Sequence, residues 1–237
     1  MDRTIVVSQS MYFPWVGLLE QVRLADVFVH YDDVQFARGF FNRVQVKTSG
    51  GRNWITVPLR DHHQGDLIDE VVIDDREDWR SKHRKVLQHA YQKAPFRDDM
   101  LKIVDKVFNR NAPTLAELAR HSILELVRYF DLPAPEFLNA RALGIGGSGS
   151  QRLYDIVTRL DGSIYVTGHG AKNYLDHELF ERNGINVRYM SYELTPYPQL
   201  YGEFTPYVTG LDLVANCGPE GASVVRSGAI DWKEFTQ

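Results

Sequence analysis

Thr4-Ile5-Val6-Val7, helix-spaced apolar residues at Trp15, Leu18, Leu19 and Val22, and then Val27-Phe28-Val29-His30-Tyr31 fill the first 31 residues. Two compact β-forming runs flanking one amphipathic helix read as a βαβ unit. Its right-handed crossover lays the two strands side by side and parallel. Parallel strands need cover on both faces, so this opening commits the chain to a sheet wrapped in helices.

The rest of the chain fits that frame. Arg43–Thr48 and Asn53–Pro58 alternate β-formers around Ser49-Gly50-Gly51-Arg52, which reads as a hairpin. Val71-Val72-Ile73 reads as another short strand. Helical spacing runs from Trp79 to Tyr91 and from Leu101 to Phe130, with Pro113 opening a new helix at Thr114. After a glycine–serine loop over Gly144–Ser150, a helix is expected from Gln151 to Leu160 and a strand from Ser163 to Thr167. A helix from Tyr174 to Arg182, a strand from Val187 to Met190 and a final helix from Leu211 to Ala215 follow. The expected fold class is α/β: a mainly parallel sheet flanked by helices, with a β-hairpin and an inserted, mostly helical segment. Residues 1–78 supply the βαβ unit and hairpin, 79–132 the helical segment, and 133–237 an α/β part completing the same domain.

Composition narrows the function. The 27 Lys and Arg against 31 Asp and Glu leave a net charge of −4, which excludes a global basic field for coating nucleic acid. A single cysteine, Cys217, excludes an internal disulfide and a Cys-rich zinc site. No apolar run approaches the roughly 20 residues that span a bilayer, and the opening lacks the layout of a secretion signal. A soluble, cytoplasmic protein without membrane insertion is expected. Neither a G-x-S-x-G elbow nor an H-E-x-x-H zinc motif occurs, so neither a serine triad nor a metal is expected.

Ligands of open parallel sheets bind beyond the carboxyl ends of the strands, which singles out several segments. Gln9 to Gly17 follows the first strand, with Tyr12 and Trp15 placed to stack on a base or a sugar face. Asp32 and Asp33 follow the second, ahead of Gln35. Adjacent carboxylates project differently, so at most one faces a ligand, Asp33 ahead of Asp32; the alternative is a solvated pair that caps the following loop. Asn42 and Arg43, with Lys47 on the hairpin, can grip a carboxylate or phosphate. His83, one helical turn from Trp79, is the histidine expected to act as acid or base. Gly144-Ile145-Gly146-Gly147-Ser148-Gly149 has the letters of a dinucleotide loop but neither its position nor its downstream acid. It remains a possible anion cradle or a plain flexible connection. His169 and Lys172 lie in a Gly-rich turn after a later strand, and Asp212 and Asn216 share one face of the terminal helix.

Taken together these segments resemble the WbqC-like family nearly end to end. The resemblance rests on Gln9-Ser10-x-Tyr12-x-Pro14-Trp15-x-Gly17 and on Ala25-Asp26-Val27-Phe28-Val29-x-Tyr31-Asp32-Asp33-Val34-Gln35-Phe36. It continues through Asn42-Arg43, Trp54-x-Thr56-Val57-Pro58, Trp79-x-x-x-His83, Tyr91-x-Lys93-Ala94-Pro95-Phe96 and Tyr197-Pro198-Gln199-Leu200. Phe204-x-Pro206 and Leu211-Asp212-Leu213-x-x-Asn216-x-Gly218 close it. The family is associated with bacterial surface-polysaccharide (O-antigen, lipopolysaccharide) gene clusters. The resemblance implies an acyl or aminoacyl transferase, for example glycyl, acting on the amine of a nucleotide-linked aminosugar. Asp32, Asp33 or His83 would then handle the amine, with Arg43 and Lys172 on phosphates and Tyr12 and Trp15 lining the pocket. Gln9, Gln35, Asn42, Lys47, His169, Gln199, Asp212 and Asn216 complete the expected substrate site. ATP or an activated aminoacyl donor, with a charged tRNA as one possible source, is the implied co-substrate. An ATP-dependent ligase or nucleotidylyltransferase-like enzyme and a non-catalytic sugar-nucleotide binding module are the alternatives.

Overall fold

The computed structural model describes residues 2–37, 39–192 and 195–236. Strand β1 (Thr4–Ser8), helix α1 (Val16–Leu24) and strand β2 (Val27–His30) form the expected βαβ unit. Its parallel register sets Ile5 beside Val27 and Ser8 beside His30. The hairpin is β3 (Arg43–Thr48) and β4 (Gly51–Thr56), a separate two-stranded sheet. Helices α2 (Trp79–Ala90), α3 (Arg97–Phe108) and α4 (Leu115–Tyr129) follow, α4 opened by a capping box in which Thr114 and Glu117 satisfy each other's backbone. Then come β5 (Glu136–Asn139), α5 (Ala140–Leu143), α6 (Gly149–Arg159), β6 (Ile164–Thr167), α7 (His177–Arg182) and β7 (Asn186–Met190). Helix α8 (Gly210–Cys217), β8 (Ala229–Asp231) and α9 (Trp232–Thr236) close the described chain.

The six-stranded sheet runs β5-β2-β1-β6-β7-β8, parallel except for the β7–β8 edge. From β1 the chain steps one way to β2; from β6 it steps the other way to β7. Right-handed crossovers then place the two connecting helices on opposite faces. The cores agree. Val6, Phe28 and Val166 face α1, α3, α4 and α8 in one cluster, while Ile5, Val7, Tyr165 and Val187 face α6 and α7 in the other. The direction of travel reverses between β1 and β6, so the crevice beyond their carboxyl ends is the switch point where such sheets bind ligands.

Three expectations change. Val71–Ile73 makes only isolated bridges, Leu59 to Ile73 and Val72 to Thr114, and builds no strand. The helix expected from Tyr174 starts at His177, preceded by a 3-10 turn over His169–Asn173. The helix ending the last third is not final: β8 and α9 follow it, and β5 was likewise not foreseen. No described helix is long and apolar enough to cross a membrane.

Candidate functional site

The turn after β1 is built by a dry polar cluster. Ser10 donates its backbone N–H to Asp32 Oδ1 at 2.8 Å and its hydroxyl proton to Asp32 Oδ2 at 2.8 Å. That hydroxyl has no second proton, so the 2.8 Å contact with His30 requires His30 Nδ1–H to donate to Ser10 Oγ. Arg120, reaching from α4, completes the cluster with a 2.8 Å bond from Nε to Asp32 Oδ2. Ser10 and Asp32 are wholly buried. Burial lowers His30 to about 3 and raises the Asp32 carboxyl, against the pull of Arg120 and Ser10. Asp32 therefore locks the ends of β1 and β2 to α4 and lines neither lobe of the crevice beyond them.

Its neighbour does. Beyond the carboxyl ends of β1, β2 and β6 lie two joined lobes, of about 490 Å³ and about 400 Å³, that share Gln9, Tyr31, Leu153 and Tyr174. Each falls within the roughly 300–1,000 Å³ usual for small-molecule sites. The first lobe is bounded by Thr167, His169 and the Gln21–Tyr192 pair, in which Gln21 Nε2 donates to the Tyr192 hydroxyl at 2.7 Å. The second holds Asp33, Gln35, Arg152 and the Gly147-Ser148-Gly149 start of α6. Arg152 donates to Asp33 Oδ2 at 2.5 Å and, through Nε, to the Ile145 carbonyl at 2.9 Å. The second Asp33 oxygen, Oδ1, is buried and has no partner among the described residues. Ser148 caps α6 without a side-chain bond, leaving backbone N–H groups free at that helix start. His169 donates Nε2–H to the Met190 carbonyl at 2.6 Å, so its Nδ1 carries the free lone pair.

Of the residues singled out from the sequence, Gln9, Asp33, Gln35 and His169 meet in this crevice. The others are placed elsewhere, which corrects their expected convergence on one hollow. Tyr12 is wholly buried, its hydroxyl 3.0 Å from His83 Nδ1. His83 Nε2 lies 3.1 Å from the Thr56 carbonyl, an acceptor only, so Nε2 is protonated and Nδ1 accepts from Tyr12. Both ring nitrogens are thus engaged, and burial lowers His83 to about 4. It braces α2 against the hairpin and is no acid or base of the crevice. Trp15 folds its indole over Gly17, where a Cβ would lie 2.2 Å from the ring, and packs behind Tyr192 at 4.9 Å between centroids.

Lys47 is buried and donates to Gln199 Oε1 at 3.1 Å and to the Glu203 carbonyl at 2.5 Å. Asp212 is buried between the Tyr91 and Tyr197 hydroxyls, and Asn216 donates to it at 3.2 Å. Burial raises the Asp212 carboxyl, and this polar knot ties the 197–205 loop to α8. Lys172 is exposed over Phe235, outside both lobes. Asn42 and Arg43 line a different pocket beside the hairpin. Cys217 is a half-buried thiol pushed up by burial, which disfavours the nucleophilic thiolate. No cluster of three or more metal-ligating side chains occurs among the described residues.

Arg152 and Gln21 were missed. Each is a polar residue set in the apolar stripe of a helix, Arg152 beside Leu153 and Ile156, Gln21 between Leu18 and Val22. A buried polar residue in such a stripe is the one signal the sequence offered.

No solved structure matches this chain. Over 229 residues it is 29% identical to the uncharacterized protein Rv1507c of Mycobacterium tuberculosis, a match covering 94% of this chain and 98% of that protein. A family model spans residues 9–224, from the turn that opens the crevice to the end of the 3-10 segment after α8. By that match the chain belongs to the WbqC-like protein family.

Proposed function

We propose that the crevice transfers an acyl or aminoacyl group to the amine of a nucleotide-linked aminosugar. The observation that carries the reading is the divided Asp33 carboxylate, with Oδ2 held by Arg152 and Oδ1 buried and waiting for a donor. A small rotation of the carboxylate brings that sealed oxygen to the lobe, where a substrate ammonium or amine donates to it. Amide formation also requires the amine to lose a proton as it attacks the acyl carbonyl, while the bond from that carbonyl carbon to the donor's carrier breaks and the carrier leaves with the electron pair. His169 Nδ1 is the free lone pair in the adjoining lobe and takes that proton. The free N–H groups at the start of α6 receive a phosphate, with Tyr31 and Tyr174 as flat walls for a ring. Two joined lobes suit two substrates, the sugar nucleotide in one and the activated acyl donor in the other.

The test incubates the protein with a panel of aminosugar nucleotides, glycine, ATP and charged tRNA, and reads product masses. The expected outcome is a gain of one aminoacyl unit on one acceptor. His169→Gln lowers the rate about 100-fold or more while melting near the wild-type temperature; Asp33→Asn lowers it likewise but also melts earlier, because the buried Arg152 loses its counter-charge. Product with glycine and ATP alone, releasing pyrophosphate, identifies a ligase that activates its own donor. Saturable sugar-nucleotide binding with no mass gain from any donor overturns the transferase reading in favour of a binding module.

A further inference from the structure

Arg43 is placed for ligand binding but not in the crevice. It lines a separate pocket of about 270 Å³ between the hairpin and the 58–62 segment, with Phe36, Asn42 and His62 on the other walls. The lining includes no carboxylate, and Arg43 forms no ion pair among the described residues. Its guanidinium is held instead by stacking, 4.4 Å from the Trp54 ring centroid, and Trp54 packs against Phe40 at 5.4 Å. The Arg43 Nε–H is sealed from water and meets no acceptor. Buried donors without an acceptor are uncommon in folded proteins and call for a missing partner. The pocket therefore presents a half-buried cation, pre-oriented by an aromatic ring and without an ion-pair partner among the described residues.

We propose that this pocket is a second binding site, for a small ligand bearing a carboxylate or phosphate that Arg43 grips. The inference stands independently of the transferase reading. An oxyanion entering the pocket meets the outer guanidinium N–H groups, and a small tilt of the guanidinium off Trp54 brings Nε–H into the same two-pronged contact. His62, T-shaped to Phe36 at 5.4 Å between centroids, is a polar ring in the lining. The pocket lies just below the roughly 300–1,000 Å³ of drug-sized sites, so it admits a small organic acid or phosphate ester, not a whole sugar nucleotide.

The experiment titrates inorganic phosphate and, separately, acetate into the isotopically labelled full-length protein at constant ionic strength. It follows the Arg43 side-chain Nε–H resonance, assigned by its loss in Arg43→Lys, and the Trp54 indole resonance. The expected result is a saturable shift of both signals with at least one anion: phosphate alone marks a phosphorylated ligand, acetate a carboxylate. Arg43→Lys weakens the affinity read at Trp54 about tenfold or more, because the planar fork is lost while the charge stays. Trp54→Leu, which leaves the cation but removes its platform, weakens the affinity read at Arg43. Shifts that do not saturate, that sodium chloride reproduces equally, or that persist unchanged in Arg43→Lys overturn the proposal. Asp33→Asn tests the crevice alone, so either site can fail without the other.

Discussion

His83 is a residue whose neighbours decide its chemistry. Thr56 can only accept, so Nε2 keeps its proton, and a second proton on Nδ1 would face the hydroxyl that donates to it. Burial lowers its pKa from the ordinary 6.5 to about 4. As pH falls from 6.5 towards 4, the unfolded chain takes up a proton that the folded chain refuses. The stability His83 contributes is therefore complete above 6.5 and lost through that window. The full shift corresponds to roughly 3 kcal/mol. Urea unfolding at pH 7 and pH 5 checks this. The wild type loses more stability between the two than His83→Gln does, because His30 acts in the same direction in both proteins and cancels. Equal losses would sink the assignment. The same scale shows where sequence reading stops. Consecutive carboxylates project apart, so one of Asp32 and Asp33 had to turn away. Which one does is set by Arg120, 88 residues from Asp32, and Arg152, 119 residues from Asp33.

At the scale of elements, the crevice depends on a turn that other elements hold in an unfavourable shape. Phe13 has φ of 40°, a left-handed conformation that a bulky side chain rarely adopts. Ser122 on α4 accepts the Phe13 N–H at 2.8 Å, Thr209 donates to the Phe13 carbonyl at 2.9 Å, and the Gly210 N–H reaches the Pro14 carbonyl at 2.7 Å. Gly210 admits this approach because a Cβ there would lie 2.9 Å from that carbonyl. Ser122→Ala leaves the buried Phe13 N–H unpaired and costs about 1–3 kcal/mol, read from the denaturant midpoint. A loss below a few tenths of a kcal/mol would show that Ser122 does not hold the turn. Long periodic elements such as α2 and α4, and the β1-α1-β2 opening, were legible because period and length agree in them. β5 and β8, with four and three residues, carry too little pattern to be read. Val71–Ile73 erred the other way: Val71 is buried in a side cluster with Ile68 and Leu115, Ile73 joins the main core, and Val72 is exposed, with no neighbouring strand to extend a ladder.

Across the whole molecule, the inserted helices share one core with the sheet. Val6, Phe28 and Val166 from the sheet, Val44 and Ile55 from the hairpin, Leu87, Val104 and Ile123 from α2, α3 and α4, and Leu211 from α8 form a single cluster. Unfolding residues 79–132 alone would remove α2, α3 and α4 from that cluster, and the apolar side chains they cover on the sheet, the hairpin and α8 would meet water. Chains longer than about 150 residues often unfold through intermediates. Here the continuity of the core leads us to propose that residues 1–78, 79–132 and 133–237 are one cooperative unit. The four tryptophans report on all three parts: Trp15 and Trp54 in the first, Trp79 in the second, Trp232 in the third. Single-tryptophan variants, keeping one reporter each with phenylalanine at the other positions, are expected to keep fluorescence and far-ultraviolet circular dichroism midpoints coincident within each variant. A Trp79 signal that melts ahead of the backbone signal in its own variant would show that the helical segment detaches first, and the single core would then not govern the unfolding.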